Sequence, residues 1–161
     1  MIFILILLGV FLLDLMVKKY MEEKLPDELS SSKEDKADAF PKEILGGKVI
    51  LRKLHNKGVA FGAFGKYPKL VEQGTLGVLA VVFGYFVYLL TRPGQSFKKA
   101  GTGMMLGGGL CNWFDRFHQG YVTDYFSFNV KWDKLKNLVF NLSDMFIFLG
   151  MFLSLIGKKK K

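Results

Sequence analysis

Asp144 sits about six residues into an apolar stretch, in FNLSDMFIF, with no basic residue within one helical turn to pair with it. An acid at the centre of a membrane helix costs about 3 kcal/mol on insertion scales, so such a residue is a functional candidate by default. Asp124 lies in GYVTDYFSF, among Tyr121, Tyr125, Phe126 and Phe128, aromatic residues suited to a water–lipid interface. Taken alone it reads as an ordinary loop acid. The two become interesting together, because they fall on the same side of the membrane, at similar depth, on segments joined by a short loop. Like charges held close cannot both ionise cheaply, so one proton is shared. The ionised partner can take a proton from water, and the protonated partner can hydrogen-bond a scissile carbonyl. That is aspartic-protease chemistry. The competing reading of Asp144 is structural, an acid buried against Asn141 and Ser143.

Other polar residues gather on the same side. Asn112, Asp115 and Arg116 close one apolar block, Asn56 opens NKGVAFG, and Asn141 precedes Asp144. Arg116 can pair with Asp115 or orient a site carboxylate; the simpler reading of Asp115 and Arg116 is an interfacial ion pair. Asp14 and Lys18 are four residues apart in the favourable acid-before-base order, as a helix-end pair or as a brace for the site. Cys111, in a Gly-rich segment, reads as a small packing residue. His55 and His118 read as loop residues without matching ligands, so neither a metal site nor a cofactor is expected.

Four apolar blocks must position these groups: Ile2 to Val17, Leu70 to Leu90, about Ala100 to Phe114, and Leu138 to Ile156. A bilayer core of about 30 Å needs about 20 helical residues, a length the second and fourth blocks meet. The first and third are shorter and need Lys18, Lys19 or Arg116 to reach the interface. The third carries Gly103-x-x-x-Gly107, then Gly108 and Gly109, which marks it as the central helix of a bundle. The first block has no basic leader and no small-x-small site after it, so it reads as a retained helix. Arg92, Lys98 and Lys99 in one loop and four terminal lysines put both termini on the cytoplasmic side. The lysine tail suits anionic lipid. Residues 22–43 read as a solvated loop or short surface helix, and 48–54 (KVILRKL) as a strand of a small outer sheet. Gly58, Gly62 and Gly65 follow as turns.

Composition excludes much else. Hydrophobic residues make up 50% of the 161 positions and include 16 Phe, too many for a disordered or collagen-like chain. One Cys rules out a disulfide framework. The net charge of +9 is accounted for by topology and loop solvation, so nucleic acid is not an expected partner. The expected fold is an all-α membrane protein: four transmembrane helices, at about 2–19, 69–90, 98–116 and 138–157, with a small extracytoplasmic β-sheet lobe at about 20–68, in one domain over 1–161.

HNKGVAFG (55–62), GGLCNWFDRFHQGYVTDYF (108–126) and FNLSD (140–144) resemble the three signature segments of lipoprotein signal peptidase, also called signal peptidase II, and Asp14 with Lys18 is similar to that family's first motif. The resemblance runs in the same order from the first apolar block to the fourth. It implies a monomeric intramembrane aspartic endopeptidase of the bacterial cytoplasmic membrane, working among membrane lipids. Such an enzyme removes the signal peptide of a diacylglyceryl-modified prolipoprotein, cutting before the lipidated Cys. Carried over residue by residue, it puts the catalytic pair on Asp124 and Asp144. Asn56, Asn112, Arg116 and Asn141 would line the site, and Asp14 and Asp115 would support it. Outer aromatics such as Phe61, Phe64 and Tyr125 would close over the substrate. Cys111, Ser143 and Tyr125 depart from the family's usual small residue, Ala and Phe; the acidic stretch is longer than typical and the tail after the fourth helix short. A non-enzymatic carrier or assembly factor using the same acids as a polar relay is the alternative, and an inactive lipoprotein binder is a third reading.

Overall fold

A computed structural model of the chain describes residues 1–25, 42–59 and 63–157. The elements run α1 (Ile2–Lys24), β1 (Lys42–Ile44), β2 (Val49–Asn56), α2 (Pro68–Leu90), α3 (Ser96–Gln119), β3 (Val122–Phe128), the short α4 (Asp133–Lys136) and α5 (Leu142–Ile156). Most of the acidic 22–43 stretch, the 60–62 part of the first signature and the lysine tail lie outside the described residues.

Helix lengths keep the expectation for the second apolar block, where α2 has 23 residues, and depart from it for the other three. α1 and α3 have 23 and 24 residues, about 35 Å each at 1.5 Å per residue. Both continue through polar residues beyond their apolar runs, α1 to Lys24 and α3 from Ser96 to Gln119. α5 has only 15 residues and begins at Leu142 instead of 138, because the residues before it have other work. Phe140 pairs with Phe126 as a β-bridge, its N–H donating to the Phe126 carbonyl at 2.7 Å. Asn141 is extended, at φ −125° and ψ 174°, and caps the helix. By length and composition, one helix among the described residues, Pro68–Leu90, is long and apolar enough to cross a membrane; Leu142–Ile156 is apolar but shorter.

α3 lies at the centre, as its glycines predict. Successive helical residues are rotated by 100°, so three consecutive glycines can face three partners. A Cβ on Gly107 would stand 2.5 Å from the Leu7 carbonyl oxygen of α1. One on Gly108 would stand 2.7 Å from the Ser143 carbonyl oxygen of α5, and one on Gly109 2.7 Å from Leu79 of α2. Only residues without a side chain permit these approaches. Gly108→Leu would therefore drive α5 away at the residue beside Asp144. The expected cost is about 3 kcal/mol of stability from overpacking, read as a lower melting temperature in detergent; an unchanged melting temperature would contradict it.

Leu79, Phe86 and Leu106 form the buried apolar cluster between α2 and α3, joined by Phe3 and Leu7 of α1. At that end of the bundle Lys98 packs on Gly157, and Lys99 lies 5.7 Å from the Phe3 ring centroid. The outward faces of α1, α2 and α5 expose Leu5, Leu12, Val78, Val81, Phe83, Phe152 and Leu155, among others.

At the opposite end β1, β2 and β3 form an antiparallel sheet in that order. Gly120, at φ +84°, ends α3 in the left-handed conformation that glycine adopts without strain. The chain reverses there and enters β3 two residues later, so β3 lies against the end of the helix that carries Asn112, Asp115 and Arg116.

Candidate active site

Asp124 is on strand β3, not in a loop, opposite Leu54 of β2. Side chains alternate along a strand, so Val122 and Asp124 share one face while Thr123 and Tyr125 point to the other. The neighbouring strand sets the first contact. Asn56 is diagonal to Asp124, and its Nδ2 donates to Asp124 Oδ2 at 3.1 Å. Asp124 itself is 2% exposed.

Asp144 is the third residue of α5. Asn141 Oδ1 accepts from the Asp144 N–H at 3.0 Å, and the Asn141 N–H donates to Asp144 Oδ2 at 3.2 Å, a reciprocal capping box. The Asn141 amide also turns outward to the strand, where its Nδ2 donates to Asp124 Oδ1 at 2.7 Å. One asparagine thus touches both carboxylates. Asn112 of α3 completes the set, donating from Nδ2 to Asp144 Oδ1 at 3.1 Å. Each oxygen of the two acids receives one N–H.

The two acids line a cavity of about 400 Å³ together with Asn56, Asn112, Arg116 and Asn141. Its other walls are apolar, with Leu138, Phe140 and Phe148 among them. Burial, and after it the charge of Asp144, pushes Asp124 up to about 7, against the opposing pull of the Asn56 and Asn141 amides. Asp124 therefore holds a proton to near neutrality.

Arg116 pairs with neither Asp115 nor a site carboxylate. Its Nη2 donates to the Gly58 carbonyl at 2.5 Å and its Nη1 to the Asn112 carbonyl at 3.2 Å, which ties the loop after β2 to α3. Asp115 is buried instead of solvated, with Lys18 Nζ at 2.7 Å. The same ammonium lies 3.0 Å from Asp14 Oδ2, donates to Asn112 Oδ1 at 2.7 Å, and lies 3.7 Å from Cys111 Sγ. Asp14 and Lys18 are an i,i+4 pair as expected, but in the interior and not at a solvated helix end. Lys18 can only donate, so it fixes the Asn112 oxygen toward itself and the Asn112 NH2 toward Asp144.

The structural reading of Asp144 is half right, since Asn141 is its partner, while Ser143 turns away and donates to Asp14 Oδ2. Tyr125 does not close over the site; it is 2% exposed, on the far face of β3. Phe64 is exposed, and Phe61 lies outside the described residues. His55 is on β2, at 2.9 Å from Glu22 Oε1, and His118 is in the last turn of α3, stacked on Phe114. Among the described residues no group of three or more His, Cys, Asp or Glu is placed to hold a metal.

The contacts of Lys18 with Asp115 and Asn112, and of Ser143 and Tyr125 with Asp14, differ from the expected interfacial lysine, Asp144 neighbour and outer aromatic. Two signals were present. Asn141-x-x-Asp144 has capping-box spacing, and the alternation in VTDYF already turns Tyr125 away from Asp124.

This arrangement of helices and sheet is a fold already known from a solved structure. A solved bacterial membrane enzyme, determined by the in meso method at 2.3 Å, superposes with a TM-score of 0.74 over 99% of this chain and 93% of its own, at 20% identity. The profile of the family described as signal peptidase (SPase) II matches residues 6–158, and the chain belongs to that family of peptidases. A lipoprotein signal peptidase of Clostridioides difficile is 34% identical over 107 residues, 66% of this chain and 68% of its own. One of Mesorhizobium japonicum is 29% identical over an alignment covering 98% of this chain and 87% of its own.

Proposed function

We propose that this chain is an intramembrane aspartic endopeptidase that removes the signal peptide of diacylglyceryl-modified prolipoproteins, cutting before the lipidated Cys. The observation that carries this reading is the pair of buried acids, Asp124 and Asp144, facing one cavity and bridged by Asn141. Family membership supports the substrate class. Nothing in the site favours a carrier or assembly factor.

In this mechanism Asp124 holds the shared proton, in keeping with its elevated value, and donates it to the scissile carbonyl. Asp144 carries the charge. Its place in the first turn of α5 suits an anion, because the N-terminal end of a helix is partly positive. Asp144 takes a proton from the attacking water as the water adds to the carbonyl carbon. As the tetrahedral intermediate collapses the C–N bond breaks, Asp144 passes the proton it took from water to the departing Cys amine, and one hydroxyl of the intermediate returns its proton to Asp124 as the new carboxyl group forms. Arg116, fixed to Gly58, holds the loop that borders the cavity. The apolar walls take the side chains that precede the Cys.

The same reading has α1, α2, α3 and α5 crossing the membrane, their exposed apolar faces against lipid. Ile2 at the start of α1 and Gly157 after α5 lie at the bundle end away from the sheet, and this end would be cytoplasmic. The site, beside the sheet, would lie near the outer face, where a substrate with its acyl chains still in the bilayer can enter sideways. One domain acts as a monomer.

The test is cleavage by purified protein of a diacylglyceryl precursor and of its unlipidated twin. Cleavage of the lipidated form, with the twin cut much more slowly, is the expected result. No cleavage of either, or acid-dependent ion flux without cleavage, would overturn the reading.

A further inference from the structure

We propose that Tyr125 and Ser143 are positioning residues that set the separation of the Asp124 and Asp144 carboxylates by gripping the Asp14 carboxylate from behind the cavity. Each is the immediate neighbour of one acid, and each turns away from the cavity as its neighbour turns toward it. Tyr125 Oη donates to Asp14 Oδ1 at 3.0 Å, and Ser143 Oγ donates to Asp14 Oδ2. The two oxygens of one carboxylate on α1 thus hold β3 and α5 side by side. Tyr125 adds a direct tether, because its hydroxyl accepts the Leu142 N–H at 2.9 Å in the first turn of α5.

The grip is fully enclosed. Asp14 and Ser143 are 0% exposed and Tyr125 is 2% exposed, so water cannot replace a lost partner. Burial, and then the charge of Asp14, holds the Tyr125 hydroxyl in its protonated, donating form. Lys18, at 3.0 Å from Asp14 Oδ2, keeps the carboxylate in place on α1. The backbone bridge between Phe126 and Phe140 aligns the two elements along the strand direction. The Asp14 grip acts on the other side of Asp124 and Asp144 and resists their opening like a book.

The inference rests on the reading of Asp124 and Asp144 as the catalytic pair. Its test uses the full chain in detergent with a lipidated precursor and compares Tyr125→Phe, Ser143→Ala and the double variant with the wild type. The charged groups around Asp124 are Asp144 of α5, Arg116 of α3 and Lys18 of α1, and none is altered; Lys53 and His55 of β2 meet Glu22 instead. Each single change is expected to lower kcat about tenfold or more with KM nearly constant, since small misplacements of reacting groups are costly. The two limbs of the pH–rate profile should also move toward each other, because separated carboxylates couple less. A structural role alone would lower the melting temperature and leave the limbs where they were. Wild-type kcat and limbs in both single variants would overturn the inference. If Tyr125→Phe fails to fold, Ser143→Ala, a loss of one oxygen, decides alone. Asp124→Asn and Asp144→Asn in the same assay separate the two claims. If they still cleave, the catalytic reading fails; if they do not, and Tyr125→Phe and Ser143→Ala behave as wild type, only the grip fails.

Discussion

Asp124→Asn and Asp144→Asn are each expected to lower cleavage of a lipidated precursor by about a thousandfold or more, the upper range for loss of a general acid or base. Each change also disturbs one hydrogen bond. Asn at 144 keeps an oxygen to accept the Asn141 N–H and a backbone N–H for the Asn141 cap, so α5 should still form, but its NH2 would face the Asn112 NH2. At 124 both oxygens accept from amide NH2 groups, of Asn56 and Asn141. An Asn there would turn an NH2 against one of them, so Asp124→Asn should also lower the melting temperature. Full cleavage by folded Asp144→Asn protein would refute the assignment.

The pH dependence of the wild type follows from the same pair. Asp124 is pushed up to about 7 by burial and by the charge of Asp144. As the acid of the pair it must be protonated, so the rate should fall as pH rises through about 7, and fall again at lower pH where Asp144 gains its proton. A rate flat from acid to neutral pH would contradict a shared proton. Stability carries the matching sign. The folded chain holds this proton more tightly than the unfolded chain, whose Asp titrates near 3.9. The stabilisation is therefore complete below about pH 4 and is lost as pH rises through the folded value near 7.

Lys18→Met is the second large effect, and it acts on the frame that holds the pair. Lys18 is 4% exposed and stands between Asp14 and Asp115, which are equally hidden. Removing the ammonium leaves two carboxylates in the interior without their cation. Breaking a buried pair in this way costs about 3–5 kcal/mol. The Asn112 oxygen also loses the donor that fixed it, so the amide can turn and present its oxygen to Asp144. A large drop in melting temperature is expected, with loss of cleavage. Lys18→Met combined with Asp14→Asn and Asp115→Asn should recover much of the stability, because no unpaired charge remains. A melting temperature unchanged by Lys18→Met alone would show that the cluster does not hold the bundle together.

Much of the fold was legible because its signals are local. The apolar blocks marked four helices, and the β-branched run at 48–54 marked β2. The run of glycines at 107–109 marked a central helix, since small residues are needed wherever backbones touch. The helix ends were less legible. Polar residues continue α1 and α3 past their apolar runs, while Phe140 and Asn141 are taken up by a bridge and a cap that depend on β3 being beside them.

The sequence by itself determined which chemistry was available. Two acids in apolar surroundings, few His and one Cys left carboxylates as the candidate reacting groups, and the order of the signature segments pointed to the family. Tertiary structure alone decided who meets whom. Lys18 reaches Asp115 and Asn112 across more than ninety residues of sequence, and Tyr125 and Ser143 reach Asp14 across 111 and 129. Each helical step turns a side chain by 100° and each strand step by 180°. Whether Asp115 faces Arg116, water or Lys18 therefore depends on the rotation of α3 against α1, and that rotation is set by packing at the glycines and not by the residues next to Asp115 in the chain.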